Sequence, residues 1–278
     1  MLRRQAVAAL LGAFSRGSVE RLLGDARGTA LVVEIGTRRV AASADPRLAG
    51  RWLAPPGSTL KPLVLSALLA SGKLTAEETY PCPGRLRIGG RVLDCAHPPI
   101  ETPMRAETAL AYSCNCFVAH MAERFAPREV AGVLMRAGLA SRTGLAGAEE
   151  VAGRVEGVAG DAQRLQALGE SGVWVTAAGL AHAYRLLARD MHAAVRNGLE
   201  GAVAFGTAQH ARVAGVQVAG KTGSVVTAGG EAVAWFAGFM PSRGPEAVVV
   251  VMLRGRSGGG DAAPAAGRIL EAYRAGRL

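Results

Sequence analysis

Five short apolar runs, two near the start of the chain and three near its end, constrain the fold more than any other feature. Residues 31–35 and 39–43, joined through Gly36, Thr37 and Arg38, read as an antiparallel hairpin. The other three runs are 213–219, 232–239 and 247–253. Between them the apolar spacing is helical over 58–71, 104–112, 115–124, 127–137, 176–190 and 199–209, and a last helix over 262–274 closes the chain. Two early strands that must pair with three late ones around a helical insertion predict an α/β (α+β) molecule. Its core is a mixed antiparallel five-stranded sheet flanked by helices, with an all-helical lobe beside it. The α/β lobe is expected over about 26–57 and 210–278, the helical lobe over about 58–209, and a cleft between them. With 278 residues, half of them hydrophobic, the chain can bury a large core.

Scarce residues mark where chemistry is expected. Of 32 lysines and arginines only three are lysines, Lys61, Lys73 and Lys221, so a lysine that survives this bias belongs where an amine must give up its proton. Ser58 stands three residues before Lys61, one helical turn away. Asn115, one of two asparagines, falls in Ser113-Cys114-Asn115, and the last lysine opens Lys221-Thr222-Gly223-Ser224. These are S-x-x-K, S-x-N and K-T-G. Their joint chance occurrence is on the order of a few in ten thousand chains, and their order adds to that. Ser58 at the start of a helix would gain from the amides and dipole there. Burial and a second cation, Lys221, would lower the pKa of Lys61.

The three motifs in this order resemble the transpeptidase domain of penicillin-binding proteins, the class B enzymes in particular. Pro56-Gly57 before Ser58, Ala219-Gly220 before Lys221, and residues 234–239 look like the family's flanks. Gly172-Val173-Trp174-Val175-Thr176 is similar to its "vTP" segment, with Ala177 in place of the proline. The resemblance spans roughly residues 28–270. It implies Ser58 as nucleophile, with Lys61 and Ser113 carrying the proton to the leaving amine. Asn115 would hold the substrate amide and the Lys61 ammonium, while on the strand of Lys221, Thr222, Gly223 and Ser224 the cation and the hydroxyls would bind a terminal carboxylate and the Ser224 amide would share an oxyanion hole with the Ser58 amide. The implied activity is a peptidoglycan D,D-transpeptidase acting on D-Ala-D-Ala stem peptides, inhibited by β-lactams and needing no cofactor. A D,D-carboxypeptidase that resolves the same intermediate with water, and a non-turnover β-lactam sensor or scaffold, are the alternatives. A β-lactamase is disfavoured, because neither Glu149, Glu150 nor Glu156 lies in the context of a deacylating loop.

Net charge +10 favours anionic surroundings such as cell-wall polymers or a membrane surface. Without interleaved basic and aromatic residues it gives no support to nucleic-acid binding. At the N-terminus, Arg3-Arg4 and the apolar run 6–14 fit the core of an export signal over 1–17; an amphipathic first helix is the other reading. The first reading places the protein at the periplasmic or outer face of a bacterial inner membrane, signal-anchored if uncleaved. Cys82 and Cys95 bracket a Gly-rich hairpin over 83–94 and could close a disulfide worth roughly 3 kcal/mol, or remain reduced. Cys114 and Cys116 flank Asn115 as apolar fillers. No Cys or His spacing along the chain, including His97, His120, His182, His192 and His210, matches a metal motif, so no metal is expected.

Overall fold

The structure, a computed structural model, describes residues 18–278, and the segment expected to direct export lies outside them. In chain order, after a helical stretch over residues 18–23, come strands β1 (Gly28–Glu34) and β2 (Val40–Ala44) and helices α1 (Pro46–Arg51) and α2 (Lys61–Ala70). The hairpin β3 (Arg85–Ile88) and β4 (Arg91–Asp94) follows, then α3 (Ala106–Ala111), α4 (Asn115–Met121) and α5 (Glu129–Arg136). Next come β5 (Arg154–Val155), α6 (Gly160–Ala167), β6 (Val173–Trp174), α7 (Ala177–Arg189) and α8 (Ala193–Ala204). Strands β7 (Ala219–Val226), β8 (Ala232–Met240) and β9 (Ala247–Arg254) and helix α9 (Ala263–Arg274) complete the chain.

The five long strands form one antiparallel sheet in the order β2-β1-β9-β8-β7. The run Val248-Val249-Val250-Val251 makes β9 a strand that is apolar on both faces, which suits a central position covered from both sides. Period-two alternation then splits the core. Leu31, Val33, Val248, Val250, Met252 and Trp235 face the helices inserted between β2 and β7. Ala30, Val32, Val249, Val251 and Phe236 face the other way, against Ile269 and Leu270 of α9. Helix α7 is the long helix packed on the first face; Thr176 caps it by accepting from Gly179 N, and Arg185 donates to Ile35 O. Among the described residues no helix is long and apolar enough to cross a membrane.

The sheet and both of its flanks match the expected class, with three local corrections. The strand expected over 213–219 lies at Ala219–Val226 instead, so the K-T-G motif is inside it. Its glycines are there for contact: a Cβ on Gly220 would lie 2.4 Å from the Phe236 ring, and one on Gly223 2.6 Å from Pro56 O. The helix expected from residue 58 begins as a 3-10 turn, Gly57–Leu60, and becomes α-helical at Lys61, with Pro62 in the first turn where its missing N–H costs nothing. The helix expected over 199–209 runs Ala193–Ala204: His192 caps its start by accepting from Ala194 N, and Gly198 lies inside it at a close approach where a Cβ would come 2.7 Å from Leu110 Cβ. Helix α6 and the short pair β5 and β6 carry no periodic signal and were not expected.

Candidate active site

Ser58 sits on a turn that is pinned from every side. Gly57 takes a positive φ of 55° and donates to Gly169 O at 3.1 Å. Trp235 Nε1 donates to Pro55 O at 3.0 Å, Thr59 Oγ1 to Pro56 O at 2.8 Å and Tyr184 Oη to Thr59 O at 2.8 Å. The flanking carbonyls are thus held by buried side chains from β8 and α7, and Ser58 itself stays half-buried at the cleft wall.

One turn on, Lys61 is fully buried, and its ammonium meets three acceptors: Ser113 O at 2.7 Å, Ser113 Oγ at 3.2 Å and Asn115 Oδ1 at 2.6 Å. Burial pulls its pKa down to about 8, opposed by the thiols of Cys114 and Cys95 and the carboxylate of Glu170. Ser113 holds a φ of 58°, a left-handed conformation that costs a non-glycine residue roughly 1–2 kcal/mol. That conformation aims both its carbonyl and its hydroxyl at Lys61. Asn115 also donates from Nδ2 to Asp94 O at 3.0 Å, which ties the S-x-N loop to the β3–β4 hairpin.

Strand β7 is the sheet edge and brings the third motif. Alternation sends Lys221 to the face shared with Lys61 and turns Thr222 and Ser224 the other way. Lys221 is fully buried and donates to Thr222 O at 3.0 Å; burial, then the Lys61 charge, holds its pKa well below the ordinary lysine value. The expected mutual effect of the two cations therefore falls on Lys221. Its ammonium stands behind the cleft wall, which Thr222, Gly223 and Ser224 form themselves. Thr222 Oγ1 donates to Thr207 Oγ1 at 2.9 Å, and Ser224 Oγ accepts from Gly258 N at 2.9 Å, leaving its proton for a ligand. A Cβ on Gly57 would lie 3.4 Å from Ser224 N, a measure of how closely the nucleophile turn and the K-T-G edge approach.

Ser58, Ser113, Asn115, Thr222, Gly223 and Ser224 thus line one cleft of about 390 Å3. Four polar neighbours were not foreseen: Asp94, Glu170, Thr207 and Ser257. Glu170 is about a quarter exposed and pairs with Arg91 of β4 at 3.1 Å. The carboxylates considered from sequence lie elsewhere. Glu150 is buried and accepts from Thr143 N and Oγ1, Glu149 pairs with Arg47, and Glu156 with Arg154. Cys82 and Cys95 are free thiols with Sγ atoms 3.6 Å apart, each also touching a cysteine of the S-x-N loop.

The family model described as penicillin binding protein transpeptidase domain matches residues 51–271. A similar solved structure is the crystal structure of Pseudomonas aeruginosa PBP2 in complex with WCK 5153. It is 21% identical, with a TM-score of 0.82 over 94% of this chain and 74% of that one, which establishes the shared fold. No curated protein matches the chain in sequence.

Proposed function

The chain belongs to the penicillin-binding protein transpeptidase family, and from that premise we propose that it is a peptidoglycan D,D-transpeptidase with Ser58 as its nucleophile. One observation carries the proposal: Lys61, buried with a pKa near 8, sits one turn from Ser58 with Ser113 Oγ and Asn115 Oδ1 on its ammonium. A neutral Lys61 amine takes the Ser58 proton as Oγ attacks the carbonyl of the penultimate D-Ala. The oxyanion forms against the amides of Ser58 and Ser224, each donor worth roughly 3–4 kcal/mol in the transition state. As the C–N bond breaks, the proton passes through Ser113 to the departing amine of the terminal D-Ala. An amine from a second stem peptide then attacks the acyl-Ser58 ester and restores the serine. The Ser224 hydroxyl, joined by the Thr222 hydroxyl once its proton turns from Thr207, holds the terminal carboxylate. Its negative charge in turn favours the ammonium form of Lys221 behind them.

A β-lactam is attacked in the same way, but its leaving amine stays tethered, so the ester persists. Intact mass after penicillin treatment tests the assignment: one adduct on the wild type and none on Ser58→Ala is the expected result. An adduct that survives Ser58→Ala would overturn it. Glu170 on the cleft wall favours a second reading, a D,D-carboxypeptidase, because a carboxylate there can orient or deprotonate water for hydrolysis of the ester. Release of D-Ala with and without an acceptor amine separates the two. Export to the outer face of the inner membrane fits a stem-peptide substrate and is part of the same proposal.

A further inference from the structure

We propose that Cys82, Cys95, Cys114 and His97 form a site for a thiolate-seeking divalent cation, zinc by the chemistry of its donors, which staples the β3–β4 hairpin to the loop that carries Ser113 and Asn115. The four ligand atoms all lie within 4.8 Å of one another. Cys82 Sγ is 3.6 Å from Cys95 Sγ and 3.4 Å from Cys114 Sγ, Cys95 Sγ is 3.8 Å from Cys114 Sγ, and His97 Nε2 is 3.6 Å from Cys82 Sγ. A tetrahedron with metal–sulfur bonds of about 2.3 Å has sulfur–sulfur edges of about 3.8 Å and, with a histidine nitrogen, sulfur–nitrogen edges of about 3.6 Å. Four of the six edges therefore already have about the length a tetrahedral ion requires, and the two from His97 to Cys95 and Cys114 are within 4.8 Å.

The orientation of His97 also points to a ligand. His97 Nδ1 is 2.8 Å from Pro98 O; a carbonyl can only accept, so the proton is on Nδ1 and the Nε2 lone pair faces the sulfurs, the arrangement of metal-binding histidines. Cys116 Sγ lies 3.5 Å from Cys95 but is outside the four-atom set. Three thiolates and an imidazole are a donor set for zinc and not for magnesium or calcium.

The position gives the site its purpose. Cys114 lies between Ser113 and Asn115, and Asp94, next to Cys95, accepts from Asn115. An ion on Cys95 and Cys114 would bracket that hydrogen bond and brace the left-handed backbone at Ser113, on which the aim at Lys61 depends. A Cys82–Cys95 disulfide would consume two of the four donors, so the two states exclude each other.

The full chain, purified without chelator, should contain one zinc per protein by plasma emission spectrometry. Cys82→Ser and Cys114→Ser should lose it, whereas Cys116→Ser and Ser58→Ala keep it. Because a cysteine variant can fail to fold, the wild type itself provides a second reading: stripped of metal and titrated with cobalt(II), it should give thiolate charge-transfer absorption and intense tetrahedral bands. A weak octahedral cobalt spectrum, zinc retained in Cys114→Ser, or a native Cys82–Cys95 disulfide whose reduction restores no metal uptake would each overturn the proposal.

Discussion

Lys61 has three acceptors and no exposed surface, so burial sets the pH range over which it loses its proton. With its pKa drawn down to about 8, the amine fraction grows about tenfold per pH unit below that value. Penicillin acylation should therefore accelerate as pH rises from 6 and level off above about 8. A flat stopped-flow profile over that range would remove Lys61 from the proton path. Lys61→Arg keeps a cation but cannot release its proton, and acylation should fall on the order of 10^3-fold. A melting curve alongside separates that loss from mere misfolding, since a guanidinium is larger than the space Lys61 fills. Glu170→Gln asks a different question. If the carboxylate serves hydrolysis, the variant should acylate at nearly the wild-type rate while D-Ala release and adduct decay slow by roughly 10^2-fold; unchanged decay would leave Glu170 as the partner of Arg91 only.

The nucleophile turn is fixed by elements it never meets in sequence. Gly169 holds a φ of 75°, and a Cβ there would lie 2.1 Å from Gly57 O. Gly169→Ala must strain its own backbone and push the turn that carries Ser58, breaking the bond from Gly57 N to Gly169 O. A loss of at least about 2 kcal/mol follows from the left-handed strain and the clash, read as a lower melting temperature together with slower acylation. Wild-type values for both would show that the two glycines are not a support. The same elements show where the sequence was readable. Strands β8 and β9 are long apolar runs that admit no other reading, and α7 announces itself through the Thr176 cap and its apolar stripe. Strand β7 was misplaced because Gly220 and Gly223 look like loop residues until the Phe236 ring and Pro56 O are seen against them. The three motifs were legible because their residue types are scarce. Glu170 was not, since its cleft neighbours come from three distant stretches. The thiol cluster was hidden for the same reason: its ligands lie on two segments that the hairpin and the S-x-N loop bring together, and spacing along the chain cannot report that.

At the scale of the molecule, the chain closes by pairing β1 with β9 in register from Gly28 with Leu253 to Glu34 with Ala247, which leaves β2 and β7 as the edges. The β7 edge is the working one. It is flanked by the Ser58 turn on one side and by the loop that supplies Gly258 on the other. An acyl group on Ser58 would touch the turn, the S-x-N loop and β7 at once, three pieces brought together only by the folded chain. The covalent bond itself adds nothing to stability, because the unfolded chain keeps it too. Only contacts that exist in the native cleft count, namely Asn115, the oxyanion amides and the Thr222 and Ser224 hydroxyls. If these sum to about 2 kcal/mol, the penicilloyl protein should melt roughly 4–8 °C above the free protein, given the slope expected for a chain of this size. Removing the hydroxyls in a Thr222→Val, Ser224→Ala double variant should still allow the adduct to form, more slowly, while most of that increment disappears. Calorimetry on adducts confirmed by mass decides it: an increment unchanged in the double variant would mean that β7 does not hold the acyl group.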